Sequence, residues 1–402
     1  MRKLVVGLLA FFRKILLFWH SLRGKTPDGI AEQRIVSGQS WDEFCDTLKA
    51  AGAALSFPGT PRDAFSQAEG YRYLTRLTRA GLEAFVEYAD PNAPVIHRVA
   101  HETVKLGSDN PDNYYQTACI NGAWNYEITG QRNSVYYLTF GTQIGHYGQG
   151  GSMPPTGWLD AKDMQVNEDG SFRIVLSRQE QDGNWLPMTE ESGTLIIRQT
   201  HLDRANEQPA DLQIRRIGAE VNPGHVTPAL IDDGLKSAST LVAGASILFA
   251  KWARDFQKHS NELPMFDQDV SNNAGGDPNI TYYHSHWSLG PDEALVIDAI
   301  PPVCDHWNFQ LNNYWMESLD YRYYTIHTNK HLATYADDGS LRIIVAHEDP
   351  GLPNWINTVG HANGTMSFRW IFAETTPQPQ TRVVKLSDLP DLPDLPDMKD
   401  LK

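Results

Sequence analysis

Seven of the 14 histidines in this 402-residue chain fall between His284 and His361, and chemistry is sought there first. In His347-Glu348-Asp349-Pro350, followed by Asn354, Trp355, His361 and Arg369, an imidazole, two carboxylates, an amide and a guanidinium fall on neighbouring turns and strand ends. A β-rich scaffold carries its sites at such positions. A histidine would exchange protons near neutral pH, Asp349 would orient it, and Arg369 would pair with a developing oxyanion. The expected catalytic set is therefore His361, Asp349, Arg369 and His347, in acid–base chemistry of hydrolase or lyase type without an organic cofactor. The plainer reading makes Asn354, Trp355 and Arg369 hairpin and core-edge residues.

Tyr282-Tyr283-His284-Ser285-His286-Trp287 places two histidines at i and i+2, on one face of a strand, as barrel metal sites present their imidazoles. The nearest following carboxylate is Asp292, too far along for such a site. Hydrogen-bonded histidines are expected, with metal at His284 and His286 the lesser alternative. Tyr282, Tyr283, Trp287, His284 and His286, together with Asn354 and Trp355, are expected to bind substrate. His327 and His331 lack the intervening glutamate of HExxH. The acidic loop Asp267, Asp269, Asn272, Asn273, Asp277 lacks the glycine and terminal glutamate of an EF-hand. Gly145-His146-Tyr147-Gly148-Gln149-Gly150-Gly151-Ser152 has no lysine and reads as a lid rather than a phosphate cradle. Three cysteines, Cys45, Cys119 and Cys304, make neither a disulfide framework nor a CxxC site.

Helices and strands must position these groups. From Ser40 to about Glu87 the pattern is helical, with Ser40 and Glu43 at capping-box spacing and a stop at Asp90-Pro91. Residues 227–264 form a second helical stretch with an apolar face through Leu235, Ala238, Leu241, Val242, Ile247, Phe249 and Trp252. After Asn110 and again after this stretch, short alternating runs broken by Gly, Asn and Asp indicate antiparallel strands.

Those two β regions repeat. Trp124-Asn125-Tyr126-Glu127, Asp169-Gly170-Ser171, Asn184-Trp185 and Gly193–Arg198 recur in order as Trp307-Asn308-Phe309-Gln310, Asp338-Gly339-Ser340, Asn354-Trp355 and Gly364–Arg369. The last three landmarks keep their spacing to within a residue. The first does not, and residues 141–155 are the expected insertion. Asp-Gly before an alternating run marks a hairpin turn, because glycine accepts positive φ.

The segment 338–370, with Asp338, Gly339, Ser340, Pro350, Gly351, Asn354, Trp355, Gly360, Gly364 and Arg369, resembles a bacterial family known only as domain of unknown function 1214. The likeness is good over 280–386 and weaker over 110–218. It implies two-part β-sandwich molecules and no established reaction. The fold class expected is thus α+β, mainly β, with two duplicated antiparallel, jelly-roll-like sandwich units. Its parts are a helical N-terminal region (26–110), repeat one (111–218), a helical connector (219–264), repeat two (265–386) and a solvated Asp-Leu-Pro tail (387–402).

Residues 1–25 place Leu4, Leu8, Phe11, Phe12, Ile15, Trp19 and Leu22 on one helical face and Arg2, Lys3, Arg13, Lys14 and His20 on the other. Arg13 and Lys14 interrupt the roughly 20-residue apolar run that a spanning helix needs. A helix lying on anionic lipid is expected, and with it a peripheral location on the cytoplasmic face of a membrane. The remaining chain is acidic, with 34 Lys+Arg against 49 Asp+Glu and a formal charge of −15, which argues against nucleic acid as a partner. The leading functional expectation is a membrane-associated enzyme acting on an apolar small molecule such as a lipid, sterol or aromatic compound. Its rivals are a non-catalytic lipid- or carbohydrate-binding protein and a membrane-docked scaffold for partner enzymes.

Overall fold

Alternating apolar residues make strands bury one face, and a sheet so built must find a second layer. In the computed structural model, which describes residues 26–147, 153–218 and 223–392, this happens twice. The first repeat contains β1 (Asn113–Cys119), β2 (Tyr126–Gln131), β3 (Tyr137–Gln143), β4 (Pro155–Asp160), β5 (Ser171–Ser177), β6 (Asn184–Pro187), β7 (Thr194–Thr200) and β8 (Asp211–Arg216). The second contains β9 (Ile280–Ser288), β10 (Glu293–Ala299), β11 (Cys304–Asn312), β12 (His327–Asn329), β13 (Leu341–Ala346), β14 (Trp355–Asn357), β15 (Asn363–Ala373) and β16 (Gln380–Lys385).

Sheet orders β1-β7-β3-β4 and β6-β5-β2-β8 in the first repeat become β9-β15-β11-β12 and β14-β13-β10-β16 in the second. Each strand matches the one eight places later, and even the parallel pair β5–β6 returns as β13–β14. The duplication is therefore one of whole sandwiches. The first landmark pairing needs correction: Trp124 precedes β2, whereas Trp307 lies in β11, the counterpart of β3. Tryptophan identity was a poor guide there, because the side chains do different packing work. Trp307 is fully buried between sheets, and Trp124 lies under the Arg216 guanidinium.

Between the sheets of repeat one lie Tyr126, Ile128, Leu138, Phe140, Ile174, Leu176, Leu195 and Ile197. Repeat two packs Tyr283, Trp287, Trp307, Phe309, Ile343, Phe368 and Trp370 in the same place. Burying each such side chain contributes about 1.5–3 kcal/mol. Ile344 of β13 points to the other face, with Ala294 and Val296, and is covered by Leu389 from a short 3₁₀ turn, Leu386–Asp391. The start of the tail is thus packed rather than solvated, because the outer face of this sheet is apolar. Residues 393–402 lie outside the described residues.

Helices α1 (Pro27–Ser37), α2 (Gln39–Ala51) and α3 (Ala64–Leu82) precede the first repeat. α4 (Pro228–Phe256) and α5 (Gln268–Asn273) connect the two. Thr26, Asp63 and Thr227 cap α1, α3 and α4 through side-chain oxygens. Ser40 is no cap: it lies inside α2, whose N-cap is Gly38 at φ 81°, and its hydroxyl donates to Asp232. α4 buries Leu235, Ala238, Val242, Ala245, Phe249, Ala253 and Phe256. Ile247, expected on that face, is exposed. The helical layer joins Tyr73, Leu77, Val242 and Phe249 to Tyr314, Trp315 and Met316 of repeat two. No helix among the described residues is long and apolar enough to cross a membrane, and the expected surface helix of residues 1–25 lies outside them.

Candidate functional site

The matched arginines of the two repeats tie them together reciprocally. On β7, Arg198 stands opposite Tyr115 of β1; on β15, Arg369 stands opposite Tyr282 of β9. Arg198 Nη2 donates to the Gly275 carbonyl, just before β9 of repeat two, at 2.6 Å. Arg369 Nη2 donates to the Ser108 carbonyl, just before repeat one, at 2.5 Å. Each tyrosine hydroxyl accepts a backbone N–H five residues upstream, from Asn110 and Asp277 respectively. The corresponding segments are Asn110-Pro111-Asp112-Asn113-Tyr114-Tyr115 and Asp277-Pro278-Asn279-Ile280-Thr281-Tyr282, a repeat that the landmark comparison missed.

Lined by both arginines and by α4 is a cavity of about 640 Å³. Its upper wall is apolar, with Ala84 and Phe85 after α3, Leu241, Phe249 and Trp252 on α4, and Leu106. Its floor is polar, with Asn110, Asn113, Tyr115, Gln143, Arg198, Tyr282, His284 and Arg369. Of the Gly145–Ser152 loop, His146 and Tyr147 line the cavity, and residues 148–152 lie outside the described residues.

Burial sets the protonation of this lining. His284, stacked between the rings of Tyr282 and Phe256, is pushed down to about 3 by burial and by the Arg369 charge. Burial also lowers His97 and His146. It raises the Cys119 thiol to about 11 and the Tyr282 hydroxyl to about 12. His284 and His286 do share a face of β9, as their spacing implies. Nevertheless, His286 Nδ1 pairs with Ser260 Oγ at 2.8 Å, and no group of three potential ligands that could hold a metal occurs among the described residues.

Of the four expected catalytic residues, His347 and His361 share Thr358 as a partner, whereas Asp349 and Arg369 bond elsewhere. His361 Nε2 meets Glu69 of α3 at 2.7 Å, and its Nδ1 meets the Thr358 carbonyl. It lines a separate polar pocket of about 230 Å³ with Phe65, Arg76, Lys105 and Glu317. His347 lies between Thr358 Oγ1 and the Gly290 carbonyl. Asp349 caps its own turn through the Gly351 N–H, far from orienting an imidazole. Arg369 alone reaches the cavity, with Nη1 on Gln310 Oε1 at 2.6 Å and on Asn308 Oδ1.

Among the expected binding residues, Tyr282 and His284 line the cavity. Tyr283 and Trp287 point into the sandwich core instead, because they occupy the alternate face of β9. Asn354, at φ 56°, ties its turn to the Thr334 and Arg342 carbonyls, and Trp355 Nε1 donates to the Ala346 carbonyl. Asn184 and Trp185 do the same in repeat one. These two landmarks hold the repeat's architecture. Arg198, Tyr115, Asn110 and Asn113 were not singled out from the sequence, although the recurrence of Arg198 as Arg369 was a usable signal.

Comparison with known proteins places this geometry in a family. The model of a protein family of unknown function, DUF1214, matches residues 154–201 and 294–374. A crystal structure of an uncharacterized protein from Burkholderia cenocepacia is 49% identical, with 88% of this chain and 99% of that chain covered and a TM-score of 0.87. The chain belongs to the DUF1214 family. Both DUF1214 segments contain one of the matched arginines, Arg198 in one and Arg369 in the other. A Vibrio parahaemolyticus protein, 10% identical over 84% of this chain and 100% of that one, has a TM-score of 0.45, too slight a likeness to argue from. No functionally curated protein matches.

The Glu69–His361 contact makes a testable pH dependence in this DUF1214 protein. Burial alone would lower the imidazole, but the Glu69 carboxylate outweighs it and holds His361 above its ordinary 6.5. A raised folded-state value means that the contact stabilises fully below about 6.5 and fades as pH rises through the folded value. Urea midpoints are expected to fall as pH rises above about 6.5, and Glu69→Gln should remove that part of the slope. An unchanged slope in the variant would discard the linkage.

Proposed function

We propose that this protein binds an apolar or amphipathic small molecule in the cavity between its two sandwiches. The observation that carries this reading is the cavity itself, about 640 Å³ with an apolar roof and a polar floor. That is the size and composition of sites that enclose drug-sized ligands. Binding is favoured over acid–base catalysis because a general base or acid works best when its pKa lies near the working pH. Burial pushes the histidines lining this cavity down and its cysteine and tyrosines up, away from neutrality. Of the four residues expected to be catalytic, only Arg369 lines this cavity, so the enzyme reading draws little support from it.

Organic extraction of the purified protein followed by mass spectrometry should recover a stoichiometric apolar compound. Leu241→Trp, which places an indole in the cavity from α4, should reduce its retention by about tenfold or more at nearly unchanged melting temperature. Equal retention by the variant would place the compound elsewhere and sink the proposal. Chemical conversion of the compound on incubation would restore the enzyme reading.

The basic, apolar segment 1–25 supports a membrane-surface location, from which such a ligand would partition. Co-sedimentation with anionic vesicles should weaken several-fold when Arg13 and Lys14 are replaced by glutamate. Binding insensitive to those replacements would count against that location.

A further inference from the structure

A buried cation without a counter-charge is costly, so its surroundings indicate what is missing. Arg198 is only 7% exposed and its guanidinium stands 5.8 Å from the Trp158 ring centroid, yet it makes no ion pair with any described carboxylate. Among the described residues its one hydrogen bond is Nη2 to the Gly275 carbonyl, which leaves Nε and Nη1 free. Arg369 differs, since Asn308, Gln310 and Ser108 occupy its terminal nitrogens.

Around Arg198 the floor carries a surplus of one polarity. The Asn110 side-chain oxygen is taken by Asn308 Nδ2 and the Asp112 N–H, and that of Asn113 by Thr200 Oγ1, leaving both Nδ2 groups without a described acceptor. Tyr115 and Tyr282 each accept a backbone N–H, and their own O–H donates to no described residue. All four side chains line the cavity. At Asn110 and Asn113 the acceptors are satisfied and donors are left over, an arrangement complementary to an anionic oxygen cluster, while Gln143 and His284 on the same floor each offer both a donor and an acceptor.

Nearby carboxylates do not fill this role. Both oxygens of Asp109 are occupied by Ser318, and Asp233 is exposed on α4. Asp277 is buried, which pushes its carboxyl up, and the Arg198 charge acts on it in the opposite sense, but the two do not come within ion-pair distance.

We infer that the ligand is an amphipathic organic anion, with its oxyanion head held by Arg198, Asn110, Asn113 and the Tyr115 and Tyr282 hydroxyls, and its apolar body against Leu241, Phe249 and Trp252. This rests on the small-molecule reading above and adds the head group to it. A carboxylate, sulfonate or phosphate monoanion would each supply the acceptors. The likeness of the repeats is broken here: both terminal nitrogens of Arg369 are engaged, whereas Arg198 keeps Nε and Nη1 free.

The test compares two dyes that differ by one anionic group, using the purified full chain. Neutral N-phenylnaphthylamine reports on the apolar cavity, and anilinonaphthalene sulfonate reports on the head site as well. The sulfonate is expected to bind about tenfold or more tightly, from charge-assisted hydrogen bonds in a desolvated site. Arg198→Gln should abolish that preference while leaving the neutral dye within about twofold, and Arg198→Lys should keep part of it. Leu241→Trp should weaken both dyes, which separates cavity binding from surface binding. If both dyes bind wild-type protein equally and neither Arg198 variant alters the ratio, the head-group assignment is wrong and the cavity reading stands. If neither dye binds in the cavity, both fail. Should Arg198→Gln not fold, as circular dichroism would reveal, the wild-type ratio and the lysine variant still decide.

Discussion

Asp112→Ala is expected to cost the fold about 3–5 kcal/mol, the usual penalty for removing one partner from a buried charged network. The Asp112 carboxylate, at the entrance to β1, accepts hydrogen bonds from four side chains of the other repeat. They are His306 Nε2 at 3.0 Å, His327 Nε2 at 3.2 Å, Asn308 Nδ2 at 3.0 Å and Asn329 Nδ2 at 2.9 Å. One carboxylate thereby joins two sandwiches. Burial alone would raise its pKa, but the hydrogen bonds from His306 and His327 prevail and hold it far below the ordinary carboxylate range. The depressed value means that its stabilisation is complete above about pH 3.9 and disappears as pH falls through the folded value. Urea unfolding of wild type and variant at neutral pH measures the loss, and the variant should also have a shallower acid limb. A midpoint unchanged by the substitution would show that the repeats hold together without this carboxylate.

Arg369→Met should cost about 3 kcal/mol or more. The thioether fills much of the same volume, so the loss isolates the guanidinium. Without it Gln310 Oε1, Asn308 Oδ1 and the Ser108 carbonyl lose their donor in a site that is 3% exposed for the arginine. Each buried acceptor left unpaired costs about 1–3 kcal/mol. Lysine is expected to recover little, because a single ammonium cannot reproduce the planar fork that reaches both repeats. Thermal and urea denaturation give the magnitude. A variant as stable as wild type would mean that water replaces the guanidinium at no cost, and that Arg369 is free to serve a ligand instead.

How much of this was legible in advance differs by residue. Asp338-Gly339 and Asp169-Gly170 foretold tight turns, since both glycines adopt φ near 80°, a local requirement written in two residues; they are not hairpins, because the strands on either side (β12 and β13, β4 and β5) belong to different sheets. Asn354 and Trp355 were visible as a motif, but their purpose was misread. Their bonds go to carbonyls of their own repeat, which makes them turn residues rather than ligands' partners. His361 was placed beside Asp349 by proximity in sequence, and its carboxylate came from Glu69, 292 positions away.

Period-two alternation, turn glycines and the recurrence of landmarks are properties of short stretches, so the chain alone determined a duplicated, mainly β architecture and its family likeness. Which arginine faces which tyrosine, and that Arg198 is left with free donors beside an apolar roof, depend on how two sandwiches dock and on where α4 lies across them. Those contacts join residues far apart along the chain and follow from burial and hydrogen-bond satisfaction over the whole molecule. Only the folded arrangement could therefore reveal the cavity and the charge at its floor.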